Sequence, residues 1–124
     1  MDKRNLLYAL APFIEKGYNT QEIKILRCVF EKKANISEIS RELNIDYKNT
    51  HRYIDKLWKK GLIIIEPSKS VKGKKTYVTL SEKTLQEILD ELESITLRGN
   101  DYKEIENLIK ESRRKLKYIQ SAKR

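Results

Sequence analysis

Residues 36–62 constrain the fold most, because two amphipathic helical patterns follow each other there with only a few residues between them. Three apolar residues recur on one side of the first, short helix: Ile36, Ile39 and Leu43. The second pattern runs over residues 47–60 and stops before Gly61. Asn44 stands between the two patterns, and Asn tolerates the left-handed backbone conformation that ends a helix. The segment therefore predicts two helices joined by a tight turn.

Polar residues predict where the helices begin. Asn35 followed three residues later by Glu38 is a variant of the capping box and predicts the start of the short helix. Asp46 is a suitable N-cap for the helix that follows. Earlier in the chain, Thr20 predicts the start of a helix over residues 21–33.

The periodicity changes after Gly61. The run LIIIE at residues 62–66 is apolar and β-branched, and TYVTL at residues 76–80 is of similar type, so both predict short strands. The segment between them contains Pro and Gly as turn residues and four lysines: Lys69, Lys72, Lys74 and Lys75. We therefore expect a β-hairpin with a basic tip.

The helix over residues 47–60 divides into two faces when its residues are placed at 100° intervals. A narrow packing face consists of Thr50, Ile54, Leu57 and Gly61. The remaining surface carries polar side chains: Lys48, Asn49, His51, Arg52, Asp55, Lys56 and Lys59. Arg and Asn suit the acceptors that guanine and adenine display in the major groove of DNA, and Lys suits phosphates. The pattern favours a helix that binds DNA.

Charge is sorted along the chain, whose net charge is +9. Residues 47–75 hold nine Lys or Arg against two acidic residues, a net +7, whereas residues 81–111 hold four against nine, a net −5. The last thirteen residues hold six Lys or Arg and no acid. A cationic block on the helix and hairpin indicates a polyanionic partner, with a merely solvated lysine-rich face as the alternative.

The order of these elements resembles the winged helix-turn-helix domain, on the residues ISEISRELNIDYKNTHRYIDKLWKKGLI and more loosely over residues 20–83. With one helix before and two after, the topology is similar to bacterial and archaeal regulators of the MarR and ArsR types. Asn44 stands in place of the usual Gly of the turn and Ser40 in place of the usual Ala. The acidic-x-Arg pattern of MarR-type wings and the metal-binding cysteines of ArsR-type sensors are both absent from the sequence.

The resemblance implies that the helix over residues 47–60 enters the major groove of double-stranded DNA, and that the wing, residues 67–75, touches the backbone or minor groove. The residues implied to face bases are Tyr47, Lys48, Asn49, His51 and Arg52. The phosphate contacts are expected from Lys56, Lys59, Lys69, Lys72, Lys74 and Lys75. Arg52 and Asp55 are three residues apart and are able to pair with each other instead.

The final helix, over residues 101–122, has the spacing of a coiled-coil seam. The seam consists of Tyr102, Ile105, Ile109, Ser112, Leu116 and Ile119. It predicts a homodimer whose two recognition helices meet half-sites about one DNA turn apart; packing of the helix within its own chain is the alternative. The basic tail that follows is equally consistent with a DNA contact and with a solvated helix end.

The expected fold class is mainly α with a β-hairpin wing, a winged helix-turn-helix followed by a C-terminal dimerisation helix. We expect the DNA-binding domain at residues 1–83, with a helix over residues 3–16 that Pro12 kinks or divides, and the dimerisation helices at residues 84–124. Trp58 is expected to pack under the wing or the first helix.

Several kinds of function are disfavoured by the composition. The single Cys28 and single His51 offer no metal site, and we find no nucleophile–base pair or phosphate-binding glycine loop, so neither an enzyme nor a cofactor is expected. Cys28 is expected to be a buried structural thiol. No apolar run is long enough to span a bilayer, no motif indicates a small-molecule effector, and a cytoplasmic, nucleoid-associated protein is expected. Two alternatives to a sequence-specific regulator are a non-specific DNA-coating protein and a protein-binding winged helix.

Overall fold

The structure, a computed structural model, describes residues 9–67, 76–97 and 102–122. Its elements in chain order are α1 (Ala11–Glu15), α2 (Thr20–Glu31), α3 (Ile36–Leu43), α4 (Tyr47–Lys59), β1 (Ile63–Pro67), β2 (Thr76–Leu80), α5 (Glu82–Leu97) and α6 (Tyr102–Ala122). This mainly helical chain with one antiparallel hairpin matches the expected fold class. None of the described helices is both long and apolar enough to cross a lipid bilayer.

Pro12 divides the N-terminal helical pattern, as expected. Ala9 is helical, Leu10 is the N-cap of α1, and Pro12 lies in the first turn of α1. A proline is tolerated in that turn because the first N–H groups of a helix have no intrahelical acceptor. Gly17 follows the helix with φ of +94°, a conformation that glycine adopts without steric cost. Residues 3–8 of the expected helix lie outside the described part of the chain.

Two compact units make up the chain. We call Tyr18–Ser81 the helix-turn-helix unit, and we call Met1–Gly17 together with Glu82–Arg124 the terminal unit. The described residues 9–17 group with the C-terminal helices, whereas the expected DNA-binding domain at residues 1–83 includes them; that domain assignment stays a prediction. Within the terminal unit, the Lys16 ammonium lies 3.0 Å from the Glu87 carboxylate. An amphipathic pattern predicts that a helix has an apolar side, but not which neighbour covers it.

Capping boxes begin α2 and α3. In the first, the Asn19 side chain accepts a 2.8 Å hydrogen bond from the Glu22 N–H, and the Glu22 carboxylate accepts one of 3.0 Å from the Asn19 N–H. In the second, Asn35 and Glu38 exchange the equivalent bonds at 2.8 and 3.2 Å, as expected. The expected N-cap of α2, Thr20, is instead its first helical residue. Asn19 takes the cap because its amide oxygen reaches the free N–H three residues on.

The turn between α3 and α4 depends on Asn44 and Ser40. Asn44 has φ of 53° and ψ of 46°, so it adopts the left-handed conformation expected for it. The Ser40 hydroxyl donates a 2.6 Å hydrogen bond to the Ile45 carbonyl, and the Ile45 N–H donates one of 3.0 Å to the Ser40 carbonyl. Serine at this position therefore ties the turn closed in a way that alanine cannot.

The hairpin is anchored at its base to the helical part of the unit. Strands β1 and β2 are antiparallel, with Ile63 opposite Leu80 and Ile65 opposite Val78. The Val78 N–H also donates a 2.8 Å hydrogen bond to the Ala34 carbonyl, in the segment between α2 and α3. Strand β2 has the expected bounds, and β1 begins one residue later than expected. The base of the wing is thus fixed by backbone bonds on both sides of β2.

The core of the helix-turn-helix unit is built on α2. Four apolar residues at helical spacing form the buried side of α2: Ile23, Leu26, Val29 and Phe30. Ile25 and Cys28 are buried too, so α2 is covered over a wider arc than one amphipathic stripe. A helix that is apolar beyond one stripe is central in its unit, with other elements packed around it.

The seam of α6 is buried within a single chain. Four of its six residues are buried, namely Ile105, Ile109, Ser112 and Leu116, and α6 packs against α5. Leu108 lies off the seam and is buried as well, and its carbonyl accepts a 2.8 Å hydrogen bond from the Ser112 hydroxyl. These four residues therefore fit the alternative of packing within the chain and do not present an exposed dimer surface. Ile119 is partly exposed, and the Tyr102 side chain lies outside the described residues.

Candidate nucleic-acid interface

The inner side of α4 fixes the helix to its unit. Thr50, Ile54 and Leu57 are buried, as the pattern predicts. The Thr50 hydroxyl donates a 3.0 Å hydrogen bond to the Asp46 carbonyl. Among the described residues the Asp46 side chain accepts no capping hydrogen bond, so Asp46 occupies the N-cap position without the expected side-chain cap. Gly61 ends the helix with φ of +78°, and β1 follows directly.

We call the surface opposite these buried residues the outer face of α4. It consists of Lys48, Asn49, His51, Arg52, Asp55, Lys56 and Lys59. Asn49 and Asp55 are partly buried and the others are exposed. Tyr47, at the start of the helix, is also exposed, and its ring centroid lies 6.3 Å from that of His51. All five residues expected to face bases therefore lie at the surface of one helix.

Two polar pairs organise the outer face. Arg52 Nη2 donates a 2.7 Å hydrogen bond to Asn49 Oδ1. Asp55 pairs with Lys59, whose ammonium lies 3.1 Å from the carboxylate. The possible Arg52–Asp55 pair is therefore replaced by two pairs, each within one turn of the helix. In these two pairs the partner of Arg52 is a neutral amide, and the carboxylate faces Lys59.

Lys56 differs from the other lysines of the outer face, because its partner is buried. The Glu22 carboxylate is 0% exposed, and the Lys56 ammonium lies 3.2 Å from its Oε2. Lys56 also donates a 3.3 Å hydrogen bond to Glu22 Oε1, the oxygen that caps α2 through the Asn19 N–H. A lysine assigned to phosphate binding therefore also links α4 to the first turn of α2. Its phosphate contact stays a prediction.

Glu22 was not among the residues predicted for the site. A sequence signal existed, since Asn19 and Glu22 have the same spacing as Asn35 and Glu38. The choice of Thr20 as N-cap hid that signal. Even so, the capping box predicts only the local bond; the approach of Lys56, 34 residues further along the chain, follows from the packing of α4 against α2.

Trp58, near the C-terminal end of α4, is more exposed than expected. Trp58 is 49% exposed, so it is only half covered by the wing or any other described element. The Lys60 ammonium lies 5.1 Å above the Tyr18 ring, a cation–π distance. This contact uses a cation at the C-terminal end of α4, where positive charge is favoured by the helix dipole.

The wing contributes only its base to the described structure. Strands β1 and β2 bring the two ends of the segment 68–75 together, since Pro67 pairs with Thr76. The wing lysines expected to contact phosphates, namely Lys69, Lys72, Lys74 and Lys75, lie outside the described residues. Their roles stay predictions.

Cys28 lies in the core side of α2 and is poorly suited to redox chemistry. Its Sγ lies 3.5 Å from Glu42 Oε2, and Glu42 pairs with Lys32 at 3.1 Å. Burial, reinforced by the adjacent Glu42 carboxylate, raises the pKa of the thiol from 9.0 to about 11. The thiol is therefore protonated near neutral pH and donates toward the carboxylate, which agrees with the expected structural role.

The raised pKa of Cys28 predicts a specific loss of stability in alkali. Below pH 9 the thiol is protonated in both the folded and the unfolded state, so it adds no pH dependence. Between about pH 9 and 11 it ionises only when unfolded, so the free energy of unfolding should fall by on the order of 2 kcal/mol. Urea unfolding of the protein and of Cys28→Ala across this range measures the effect. Parallel pH profiles for the two proteins would contradict it.

Comparison with known proteins identifies the domain. A protein-family model described as winged helix-turn-helix matches residues 22–100. A comparison with curated protein sequences gave no significant match. The matched region includes most of the helix-turn-helix unit and the whole of α3, α4 and the hairpin.

Solved structures with the same fold include three informative cases. Transcriptional regulator Tm0710 from Thermotoga maritima has a TM-score of 0.58 and 15% identity, covering 97% of this chain and 84% of its own. Reduced AbfR bound to DNA has a TM-score of 0.56 and 18% identity, and the match covers 94% of this chain and 84% of the AbfR chain. The homodimeric DNA-binding domain Mb0332 from Mycobacterium bovis, a possible ArsR-family regulator, has a TM-score of 0.54 and 14% identity, covering 82% and 90%.

These similarities show that the fold is that of winged-helix transcription regulators. In this chain α4 is the second helix of the helix-turn-helix, and β1 and β2 form the base of the hairpin that follows it. Since the family model matches well over half of the sequence, the chain belongs to the winged helix-turn-helix family.

Proposed function

We propose that the chain is a sequence-specific transcription regulator that binds double-stranded DNA as a dimer. Helix α4 enters the major groove, and the wing, residues 67–75, contacts the backbone or minor groove. One observation supports this most strongly: the outer face of α4 holds exposed hydrogen-bond donors directly opposite a fully buried packing side. A helix fixed from behind and rich in donors in front suits the acceptors of base edges and phosphates.

Charge and similarity support the same function. The net +7 of residues 47–75 is concentrated on the two elements that contact DNA in this fold. Of the proteins with this fold, AbfR has a structure bound to DNA and Mb0332 is homodimeric. A protein-binding module would need neither the cationic block nor the donors on the outer face of α4.

The proposed dimer associates through the terminal unit. The buried residues of the α6 seam already pack within the chain, so the contact between chains needs other side chains. Ile14 and Tyr118 are the strongest candidates, because both belong to the terminal unit and are 54% and 63% exposed. A two-fold dimer would present its recognition helices to half-sites about 34 Å apart.

Selection of bound duplexes from a randomised pool tests this function. The salt concentration should be about 0.15 M, so that weak phosphate binding is suppressed. An enriched inverted repeat with half-sites one turn apart supports a dimeric regulator. Enrichment of nothing contradicts sequence specificity, and binding to random duplex at low salt then separates a DNA-coating protein from a protein-binding winged helix.

Replacement of Arg52 by alanine should cost ~1–3 kcal/mol of binding free energy on the selected site and relax its sequence preference. The reason is the loss of an exposed guanidinium suited to a bidentate contact with a base. Titration of fluorescent duplexes measures the effect. Lys83→Ala is the matched control, because Lys83 is an exposed cation on α5 in the terminal unit. Equal affinities for Arg52→Ala and Lys83→Ala would rule out the proposed docking of α4.

Replacement of Lys72 by alanine should weaken binding to all duplexes to a similar degree, because a wing lysine contacts phosphate and not a base. The slope of log affinity against log salt should become shallower by about one. Lys72→Arg is the control, since it keeps the charge and should keep the slope. A change in sequence preference with an unchanged slope would contradict the phosphate role.

A further inference from the structure

We propose that Asn49 and Arg52 act as one unit that reads guanine, and that Asn49 does not read adenine by itself. This inference rests on the proposed function and specifies the base that the outer face of α4 selects. It starts from the 2.7 Å hydrogen bond that Arg52 Nη2 donates to Asn49 Oδ1. The two side chains are three residues apart on one helix and point into the same solvent-facing region.

The bond fixes the orientation of the Asn49 amide. A guanidinium has five N–H donors and no acceptor, so the amide atom that faces it must be the oxygen. The Asn49 NH₂ group is therefore directed away from Arg52. The usual ambiguity between the oxygen and nitrogen of an amide does not arise here, because the other assignment would put two donors face to face at 2.7 Å.

This orientation works against adenine. An Asn reads adenine by accepting from the N6 amino group through its oxygen while donating to N7 through its NH₂ group. In this protein the Asn49 oxygen is already bonded to a cation. A second donor at that oxygen would have to share it with the guanidinium and lie beside a positive charge. Asn49 is therefore left mainly as a donor.

The same orientation favours guanine. Guanine presents two adjacent acceptors, N7 and O6, in the major groove, and an arginine binds them in a bidentate manner. Arg52 donates one of its N–H groups to Asn49, and its other N–H groups are available to a base. The bond to Asn49 also restricts the rotamers of the long Arg52 side chain, so less conformational entropy is lost on binding.

A second pair on this surface engages the Asp55 carboxylate. A carboxylate on a recognition helix can accept from the N4 amino group of cytosine. The Asp55 carboxylate is held 3.1 Å from the Lys59 ammonium. In the described part of α4, the side-chain amide oxygen of Asn49 and the carboxylate of Asp55 thus both face cations of the same helix. The surface offered to DNA is dominated by donors, which matches a guanine-bearing strand.

The test combines site selection with a double-mutant cycle on Asn49 and Arg52. The proteins are the full chain, Asn49→Ala, Arg52→Ala and the double variant, measured on the selected duplex and on versions changed one base pair at a time. Alanine is a better helix former than asparagine, so the substitutions should preserve α4, and circular dichroism checks this. The informative base pair is the one at which Arg52→Ala loses its preference.

We expect that base pair to carry guanine and to prefer it over adenine by about 5- to 150-fold, the range of one bidentate contact. Asn49→Ala should reduce the preference at the same base pair, and it should add little in the Arg52→Ala background, because the two residues act together. The inference would be overturned if Asn49→Ala lost its preference at a different base pair where adenine is selected. In that case the losses of binding free energy from the two substitutions would be additive. Enrichment of no sequence would instead overturn the proposed function, and the inference with it.

Discussion

Replacement of Phe30 by alanine should lower the free energy of unfolding by about 3–5 kcal/mol. Phe30 lies on α2 and is 1% exposed, so its removal takes a large apolar side chain out of the core of the helix-turn-helix unit. The loss combines the transfer free energy of the ring with the cavity that remains, since neighbouring side chains fixed on helices collapse only in part.

Urea unfolding followed by tryptophan fluorescence measures this effect well. The only tryptophan, Trp58, lies on α4 in the same unit as Phe30, so its signal reports the unfolding of that unit. Phe30→Leu keeps most of the volume and should cost clearly less. Ile64→Ala is a second control, because Ile64 lies on β1 of the same unit and is 36% exposed. A loss below about 1 kcal/mol for Phe30→Ala would contradict its place in the core.

Replacement of Lys56 by methionine should lower the free energy of unfolding by about 1–3 kcal/mol, although Lys56 itself is 47% exposed. The cost arises at its partner. The Glu22 carboxylate is fully buried, and of the contacts described above it would keep only the hydrogen bond that it accepts from the Asn19 N–H. Removal of one member of a buried ion pair is costly because the remaining charge is desolvated and unpaired.

Two further variants separate this explanation from a general effect of lost charge. Lys59→Met removes the neighbouring lysine, whose partner Asp55 is partly exposed, and should cost no more than about 0.5 kcal/mol. Glu22→Gln in the Lys56→Met protein should recover part of the stability, because the neutral amide can still cap α2. If Lys56→Met and Lys59→Met lowered the free energy of unfolding equally and Glu22→Gln recovered none of it, the buried Glu22 carboxylate would not be stabilised by Lys56.

Features that depend on neighbouring residues were predicted well. The capping box at Asn35 and Glu38, the left-handed Asn44 and the division of the first helix at Pro12 are all present. The strand bounds are correct to within one residue, because a β-branched run between Gly and Pro signals is itself a local pattern. Two local details differ from the prediction: Asn19 caps α2 in place of Thr20, and in the described part of the chain the Asp46 side chain accepts no capping hydrogen bond at the start of α4.

Features that depend on distant residues were not predictable in the same way. The heptad spacing of α6 shows that the helix has an apolar side, but the same spacing results whether that side faces a second chain or α5. Burial of Ile109 and Leu116 within the chain decides in favour of α5 for these residues. The grouping of the described residues 9–17 with the C-terminal helices likewise depends on contacts between residues far apart in the chain.

The sequence by itself determined the order of the elements, the packing side and the outer face of α4, and the cationic character of that helix and the wing. These follow from periodicity, caps and charge, which act over a few residues. Only the tertiary structure decided that Lys56 pairs with the buried Glu22 and that four residues of the α6 seam are buried within the chain. Contacts between residues far apart in the chain depend on how the elements pack together, and periodicity within one element carries no information about its neighbour.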